Sequence, residues 1–367
     1  MLKILIVTTT PINLNGITNV IFNLIQNIDH KKMIFDLVTP KWLLDKSPEK
    51  IEIFRKVYEI PWRNKNPLAY IQQLKKILKK NNYEIIHANG NSSTLFLEMY
   101  AAYTIQIPVR IAHSHASFSK HHLVHKLLKK KFNTMYTAAL ACSEAAGKWM
   151  FDNNCFEIIS NGIDIEKYRF SESTREEYRK KLRLEDKYVI GHVGYFADPK
   201  NQKFLVEVFN EIINIEEKAF LLLVGDGPQR KEVVNTIKNL GITEKVLLTG
   251  DRNDVANILQ AMDVFVFPSL YEGLGLVTIE SQAAGLKTIC SENIPSEVKI
   301  TDLVEFLPLD ADINIWANRI LRKTERKDEM EKIKSSEYNI KNSAKKLELF
   351  YENMYMKKVE NNVLQII

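Results

Sequence analysis

Two glutamates, Glu272 and Glu280, stand eight positions apart in YEGLGLVTIE, with no other charge between them. They follow the apolar, strand-like DVFVFPS, and a helix is predicted to begin near Leu276. Glu272 then lies in a glycine-bearing loop and Glu280 in the second turn of the helix. Free amides around Leu274, Gly275 and Leu276 can hold a diphosphate, because the start of a helix presents unpaired N–H groups. The carboxylates would accept hydrogen bonds from hydroxyls on either side of that anion, one set on a sugar and the other on a ribose. They would also stabilise positive charge developing near a sugar carbon. The plain alternative is a turn glutamate and a surface helix glutamate.

Other chemistry-bearing residues follow apolar runs. Gly16, in PINLNGITNVI, precedes a helix and is either a phosphate-binding turn or an ordinary one. In GHVGYFADPKNQ, Gly194 permits close backbone approach and Lys200 offers a positive charge to a phosphate. VGDGPQR reads as strand, glycine turn and helix start. His113 and His115 close IPVRIAHSH, and His87 closes YEIIH. A histidine there either hydrogen-bonds a sugar hydroxyl, moves a proton, or is only structural.

The elements that must position these residues alternate. Strands are predicted at Lys3–Thr9, Ile34–Thr39, Glu84–Ala88, Val109–His113 and Ala138–Cys142, with helices at Thr18–Asn27, Pro67–Lys80, Ser92–Thr104 and Leu123–Tyr136. The texture changes near 160–186, and alternation restarts with strands at Tyr188–Val193, Ala219–Val224, Val246–Thr249 and Val264–Phe267. The expected class is α/β, with two doubly wound Rossmann-like domains, 1–165 and 166–340, facing a cleft. A last helix, about 341–367, is expected to pack back on the first domain through Leu347, Phe350, Tyr351 and Met354.

Bulk composition narrows the classes. Three scattered cysteines without CxxC spacing argue for a reducing, cytoplasmic setting and against a disulfide framework. No apolar run is long enough to span a membrane. Residues 1–150 hold 21 Lys+Arg against 9 Asp+Glu, a balance of +12, and the remainder is at −6. A basic half suggests an anionic partner. In SFSKHHLVHKLLKKKFNTMYT, an apolar stripe of Leu123, Val124, Leu127, Leu128, Phe132 and Met135 is crowded by Lys120, Lys126, Lys129, Lys130 and Lys131. Residues 120–136 are thus either a helix lying on an anionic membrane surface or one with a solvated basic face. His121, His122 and His125 lack a carboxylate or cysteine to complete a zinc set. No nucleic-acid recognition motif is present.

The series NGID (161–164), VGYFADPKN (193–201), VGDGP (224–228), TGDRNDV (249–255) and DVFVFPSLYEGLGLVTIESQAAGL (263–286) resembles the retaining family-four glycosyltransferases of GT-B fold. PSLYEGLGLVTIE is similar to their E-x7-E motif, and RIAHSHAS and ACSEAAGKWMF resemble the exopolysaccharide and capsule enzymes of that family. The resemblance implies a nucleotide-diphosphate sugar as co-substrate, a UDP-sugar favoured over a GDP-sugar, with no cofactor and no metal. Asp310-Ala311-Asp312 is the one DxD-like string, far from the other motifs. The resemblance implies Glu272 at the donor sugar, Glu280 at the ribose, and Lys200 on the diphosphate with Gly16 and the amides of Leu274–Leu276. It implies His113 against the sugar with His115 beside it, and Arg252 flanking the base. The acceptor it implies is a saccharide, lipid-linked or free; the membrane reading of residues 120–136 would place the otherwise cytoplasmic protein on the inner face of the membrane. Two departures touch diphosphate binding: Tyr195-Phe196 stands where the family has Arg-Leu, and Asn15-Gly16 where it often has a double glycine. They keep open a non-catalytic, sugar-binding partner subunit. A nucleotide-sugar epimerase is the remaining alternative.

Overall fold

The computed structural model describes residues 1–9, 16–40, 51–117, 119 and 122–364. The chain divides into two units, Met1–Gly162 with Ile340–Ile367, and Ile163–Asn339.

In the first unit seven described strands are all parallel, in the order β3-β2-β1-β4-β5-β6-β7. They are β1 (Leu2–Thr8), β2 (Met33–Pro40), β3 (Lys56–Ile60), β4 (Ile85–Gly90), β5 (Val109–Ser114), β6 (Ala138–Ala141) and β7 (Glu157–Ile158). The central strands are buried along nearly their whole length, mostly by Ile, Leu, Val and Ala, as strands covered on both faces are, with His87, Asn89 and His113 among the exceptions in type. β3 and β7, absent from the expectation, are the two edges: KVYEI is amphipathic and β7 has only two residues. Helix Pro67–Asn81 is capped by the Asn66 side chain and buries Tyr70, Leu74 and Leu78, an i, i+4, i+8 stripe. The final helix, Ile340–Leu364, rejoins this unit. It packs on helix Gly16–Gln26, and its Glu348 accepts a hydrogen bond from the Asp29 amide.

In the second unit six parallel strands run β10-β9-β8-β11-β12-β13. They are β8 (Tyr188–Val193), β9 (Ala219–Val224), β10 (Val246–Leu248), β11 (Val264–Phe267), β12 (Lys287–Ser291) and β13 (Val304–Leu307). Sequence reading missed β12 because KTICS looks polar, yet all five residues are buried. The Lys287 ammonium donates to the carbonyls of Arg319 and Arg322, and the Thr288 hydroxyl pairs with Ser281 at 2.7 Å. Buried polar groups are tolerated where they find partners.

Both orders reverse direction beside the first strand of the unit, between β1 and β4 and between β8 and β11. Doubly wound sheets bind ligands in the crevice at that switch point, beyond the carboxyl ends of the strands.

Candidate active site

The second unit builds its crevice from two loops. After β8 the chain turns through a 3-10 turn, Asp198–Lys200, into helix Gln202–Ile215. After β11 it runs through Pro268–Gly275 into helix Leu276–Ala283. The loops are fastened together. The Leu270 amide donates to the Pro199 carbonyl at 2.7 Å, and the Asn201 side chain donates to the Pro268 carbonyl at 3.2 Å. Across this seam the Lys200 ammonium donates to Glu272 Oε1 at 2.6 Å and stands 4.7 Å from the centre of the Phe267 ring. Both side chains are mostly covered. Gly275 caps helix Leu276–Ala283 in a left-handed conformation, φ +86°, where a Cβ would press on Phe267. The amides of Gly275, Leu276 and Val277 donate to no backbone carbonyl among the described residues. A charge-bearing lysine, a carboxylate and a run of bare amides therefore meet at one switch point, which suits an anion joined to a polyhydroxyl group.

Glu280 lies one turn into that helix, partly covered, with the Tyr168 ring beside it. Burial raises its carboxyl pKa, against the opposing pull of the Tyr168 hydroxyl and Lys167. The Arg252 guanidinium forks onto Asp254, at 2.8 and 2.6 Å. Gly194 follows β8, and its amide donates to the Val224 carbonyl. The loop after β9 nests on it, with Gly225 at φ +129°, where a Cβ would meet the Gly194 oxygen at 2.1 Å. Tyr195 projects into solvent, 61% exposed, while Phe196 fills the core. No arginine occupies the Tyr195 position to grip a diphosphate.

Two residues of this crevice escaped sequence reading. His192 is buried under Gly194, bonded to the Val266 carbonyl at 2.9 Å, and burial lowers its pKa to about 4. Tyr168 sits in NGIDIEKYRF, which read only as a change of texture.

The first unit carries its chemistry at the ends of β4 and β5. His87 Nε2 is 3.0 Å from His113 Nδ1, and the His113 and His115 rings lie 4.1 Å apart. His115 Nε2 is 2.9 Å from Asn89 Oδ1, and His87 Nδ1 is 2.6 Å from the Tyr351 hydroxyl on the final helix. All three rings are buried, so they stack on one another rather than line an open wall. Burial lowers the pKa of His87 to about 3 and of His115 to about 4, and drives that of His113 well below its ordinary value. The cluster is neutral. Nearby, Thr9, Trp62, Asn64, Gly90, Asn91 and Thr94 line a cavity of about 220 Å³. Gly16 begins helix Gly16–Gln26.

Helix His122–Phe132 differs from its expectation in length and facing; Lys120 and His121 lie outside the described residues. Leu123, Val124 and Leu127 of the apolar stripe are exposed. The buried residues are His125, which stacks on Trp149 with ring centres 4.4 Å apart, and Phe132. His125 is thus spent on packing and on the Ser93 amide. Among the described residues no group of three or more His, Cys, Asp or Glu is placed to hold a metal ion, and no helix is long and apolar enough to cross a membrane.

Two parallel-sheet Rossmann-like units define the GT-B glycosyltransferase class, and the comparisons agree. Residues 14–167 match Glycosyltransferase Family 4, and residues 174–339 match Glycosyl transferases group 1. The chain is 30% identical to the putative glycosyltransferase EpsF of Bacillus subtilis, over 84% of this chain and 85% of that one. It is 32% identical to an Escherichia coli UDP-Gal:alpha-D-GlcNAc-diphosphoundecaprenol alpha-1,3-galactosyltransferase, over 69% and 70%. Among solved structures it is similar to Anabaena HepE in complex with UDP-glucose, with a TM-score of 0.71, 19% identity, and 99% and 100% of the two chains covered. The chain belongs to the family-four glycosyltransferases.

Proposed function

We propose that this glycosyltransferase moves a sugar, with retained anomeric configuration and without a metal, from a nucleotide-diphosphate sugar to a lipid-linked saccharide in exopolysaccharide or capsule synthesis. The observation that carries the reading is the Lys200–Glu272 contact over the bare amides of Gly275–Val277. On donor binding Lys200 leaves Glu272 for the diphosphate, and Glu272 turns to the sugar hydroxyls. When the bond from the sugar carbon to the diphosphate breaks, its electron pair leaves with the diphosphate, the acceptor hydroxyl oxygen bonds to that carbon, and the hydroxyl proton passes to the departing diphosphate. Lys200 and the helix amides stabilise that charge. Glu272 lies on the side where positive charge develops. Glu280 takes the ribose, Gly194 and Gly16 allow close approach of the phosphates, and Arg252 flanks the base. His113, with His115 beside it, is the first unit's group for a sugar hydroxyl.

A UDP-sugar is the favoured donor, in keeping with the UDP-Gal named for the Escherichia coli relative and the UDP-glucose bound in HepE. The diphosphoundecaprenol acceptor named for that relative supports a lipid-linked saccharide here. The cavity at Trp62, lined by that aromatic ring, by Asn64 and Asn91 and by Arg63, suits a sugar ring. Exposed Leu123, Val124 and Leu127, among Lys126, Lys130 and Lys131, suit the surface of an anionic inner leaflet. Exposed Tyr195 favours the second reading, a non-catalytic sugar-binding subunit.

The test is nucleoside diphosphate release from UDP-, GDP- and dTDP-sugars, in EDTA, with lipid-linked saccharide acceptors. Release from one donor and an anomer of unchanged configuration in the product are expected. Binding without release from any donor, across all acceptors, would favour the subunit. Charge reversal at Lys126, Lys130 and Lys131 is expected to free the protein from anionic liposomes; undiminished binding would sink the membrane reading.

A further inference from the structure

His87, His113, His115, Asn89 and Tyr351 form a buried hydrogen-bonded set whose protons can be assigned one by one. The Asn89 side-chain amide donates to the carbonyls of Val7 and His87, so its oxygen faces His115. That oxygen only accepts, and His115 therefore carries its proton on Nε2. His87 and His113 share one contact, Nε2 to Nδ1, and His87 Nδ1 meets the Tyr351 hydroxyl. Burial keeps each imidazole neutral, with one N–H apiece, and keeps the Tyr351 phenol protonated.

Two arrangements satisfy those counts. In one, the Tyr351 hydroxyl donates to His87 Nδ1, His87 Nε2–H donates to His113 Nδ1, and His113 bears its proton on Nε2. In the other every donor is reversed: His87 Nδ1–H donates to Tyr351, and His113 Nδ1–H donates to His87. The reversed arrangement leaves the Tyr351 hydroxyl hydrogen without an acceptor among the described residues, and leaves His113 Nε2 a bare acceptor. Along the Tyr351–His87–His113 run the first leaves one group open, His113 Nε2–H, a ring nitrogen that, like His115 Nδ1 in either arrangement, has no partner among the described residues. An extra unmade bond at a buried hydroxyl disfavours the reversed arrangement about tenfold or more.

We propose that Tyr351, acting through His87, is a positioning residue that holds His113 protonated at Nε2, so that His113 offers the sugar a hydrogen-bond donor and not a base. The sugar-facing half rests on the placing of His113 under Proposed function. The tautomer half stands on the hydrogen bonds alone. The final helix of the chain thus sets the chemistry of a strand-end residue 238 positions earlier in sequence, 351 against 113.

The test is side-chain 15N–1H correlation on the labelled full-length protein, in which protonated and bare imidazole nitrogens resonate apart. In the wild type, His87 and His113 are expected to be protonated at Nε2. In Tyr351→Phe, both should become tautomer mixtures. A wild-type His113 protonated at Nδ1, or an unchanged pattern in Tyr351→Phe, would overturn the proposal. Should Tyr351→Phe not fold, the wild-type spectrum decides the tautomer, and His87→Gln replaces it in the second measurement. That measurement is UDP release from UDP-glucose and UDP-galactose. Tyr351→Phe is expected to lower kcat about fivefold, with donor KM little changed, and to add no loss in a His113→Ala background. An equal loss in that background would mark Tyr351 as merely structural and overturn the proposal. The assigned tautomers together with full turnover by His113→Ala would overturn only the sugar-facing half, and with it the placing of His113.

Discussion

The two sheets share one strand order and put opposite chemistry at the same topological point. At the β8–β11 switch the second unit holds an ammonium, a carboxylate and bare amides on loops fastened by backbone hydrogen bonds. Beside the β1–β4 switch the first unit holds a neutral stack of imidazoles and amides, wired to a helix from the far end of the chain. One arrangement suits an anion, the other suits neutral hydroxyl groups. A fold thus sets where a ligand goes, and the side chains at the strand ends set which ligand it is.

The comparison can be broken unit by unit. The largest effect is expected in the first unit, where buried Arg63 and Glu98 pair at 3.0 Å. Glu98→Ala leaves a buried guanidinium unpaired and should cost about 3–5 kcal/mol, read by urea unfolding with hydrogen exchange localising the loss to that unit. In the second unit, Glu272→Ala should lower turnover by about 10²–10³-fold with folding intact, checked by donor kinetics and circular dichroism. Gly225→Ala demands a left-handed alanine whose Cβ meets the Gly194 oxygen; a loss of at least about 2 kcal/mol should appear in thermal unfolding.

Acid should separate the units further. The folded pKa values of the histidine cluster lie below the ordinary value of 6.5, at about 3 for His87 and about 4 for His115. The unfolded chain therefore binds more protons in that window. Stability is fully present above about pH 6.5 and falls as the pH drops from there through the folded values. Hydrogen exchange at pH 7.5 and pH 5 should show the first unit loosening. His192, at about 4, gives the second unit a smaller share of the same effect. The smallest effect is expected at Arg252→Ala. Its ion pair with Asp254 is partly exposed, 31% and 20%, and the loss of stability should stay within about 1 kcal/mol by thermal unfolding.

The same contrast explains what could be read in advance. The site of the second unit is local in sequence: PSLYEGLGLVTIE carries the strand end, loop glycines, helix start and both glutamates in one run, and its helix begins at Leu276 as expected. The Lys200 loop was also visible as glycine, proline and lysine after a strand. What stayed hidden was non-local. The tie of His87 to Tyr351 spans 264 positions, and nothing in YEIIH announces it. Leu123 and Leu127 fit a core-facing stripe by spacing, but the core took His125 and Phe132, because Trp149 and Ser93 supplied the imidazole with a stacking partner and a hydrogen bond. β12 was missed because burial of its lysine depends on carbonyls from a helix 32 and 35 residues away.

The central claim is that Lys200 exchanges Glu272 for a diphosphate, and calorimetric titration of UDP tests it most directly. Lys200→Ala should weaken UDP binding about 10- to 100-fold, since a charge-assisted contact is lost. Glu272→Ala should leave UDP binding unchanged or tighter, because it frees the lysine from its partner. Opposite responses at two residues 2.6 Å apart would establish the exchange. Equal weakening in both variants, or UDP binding indifferent to Lys200→Ala, would contradict it.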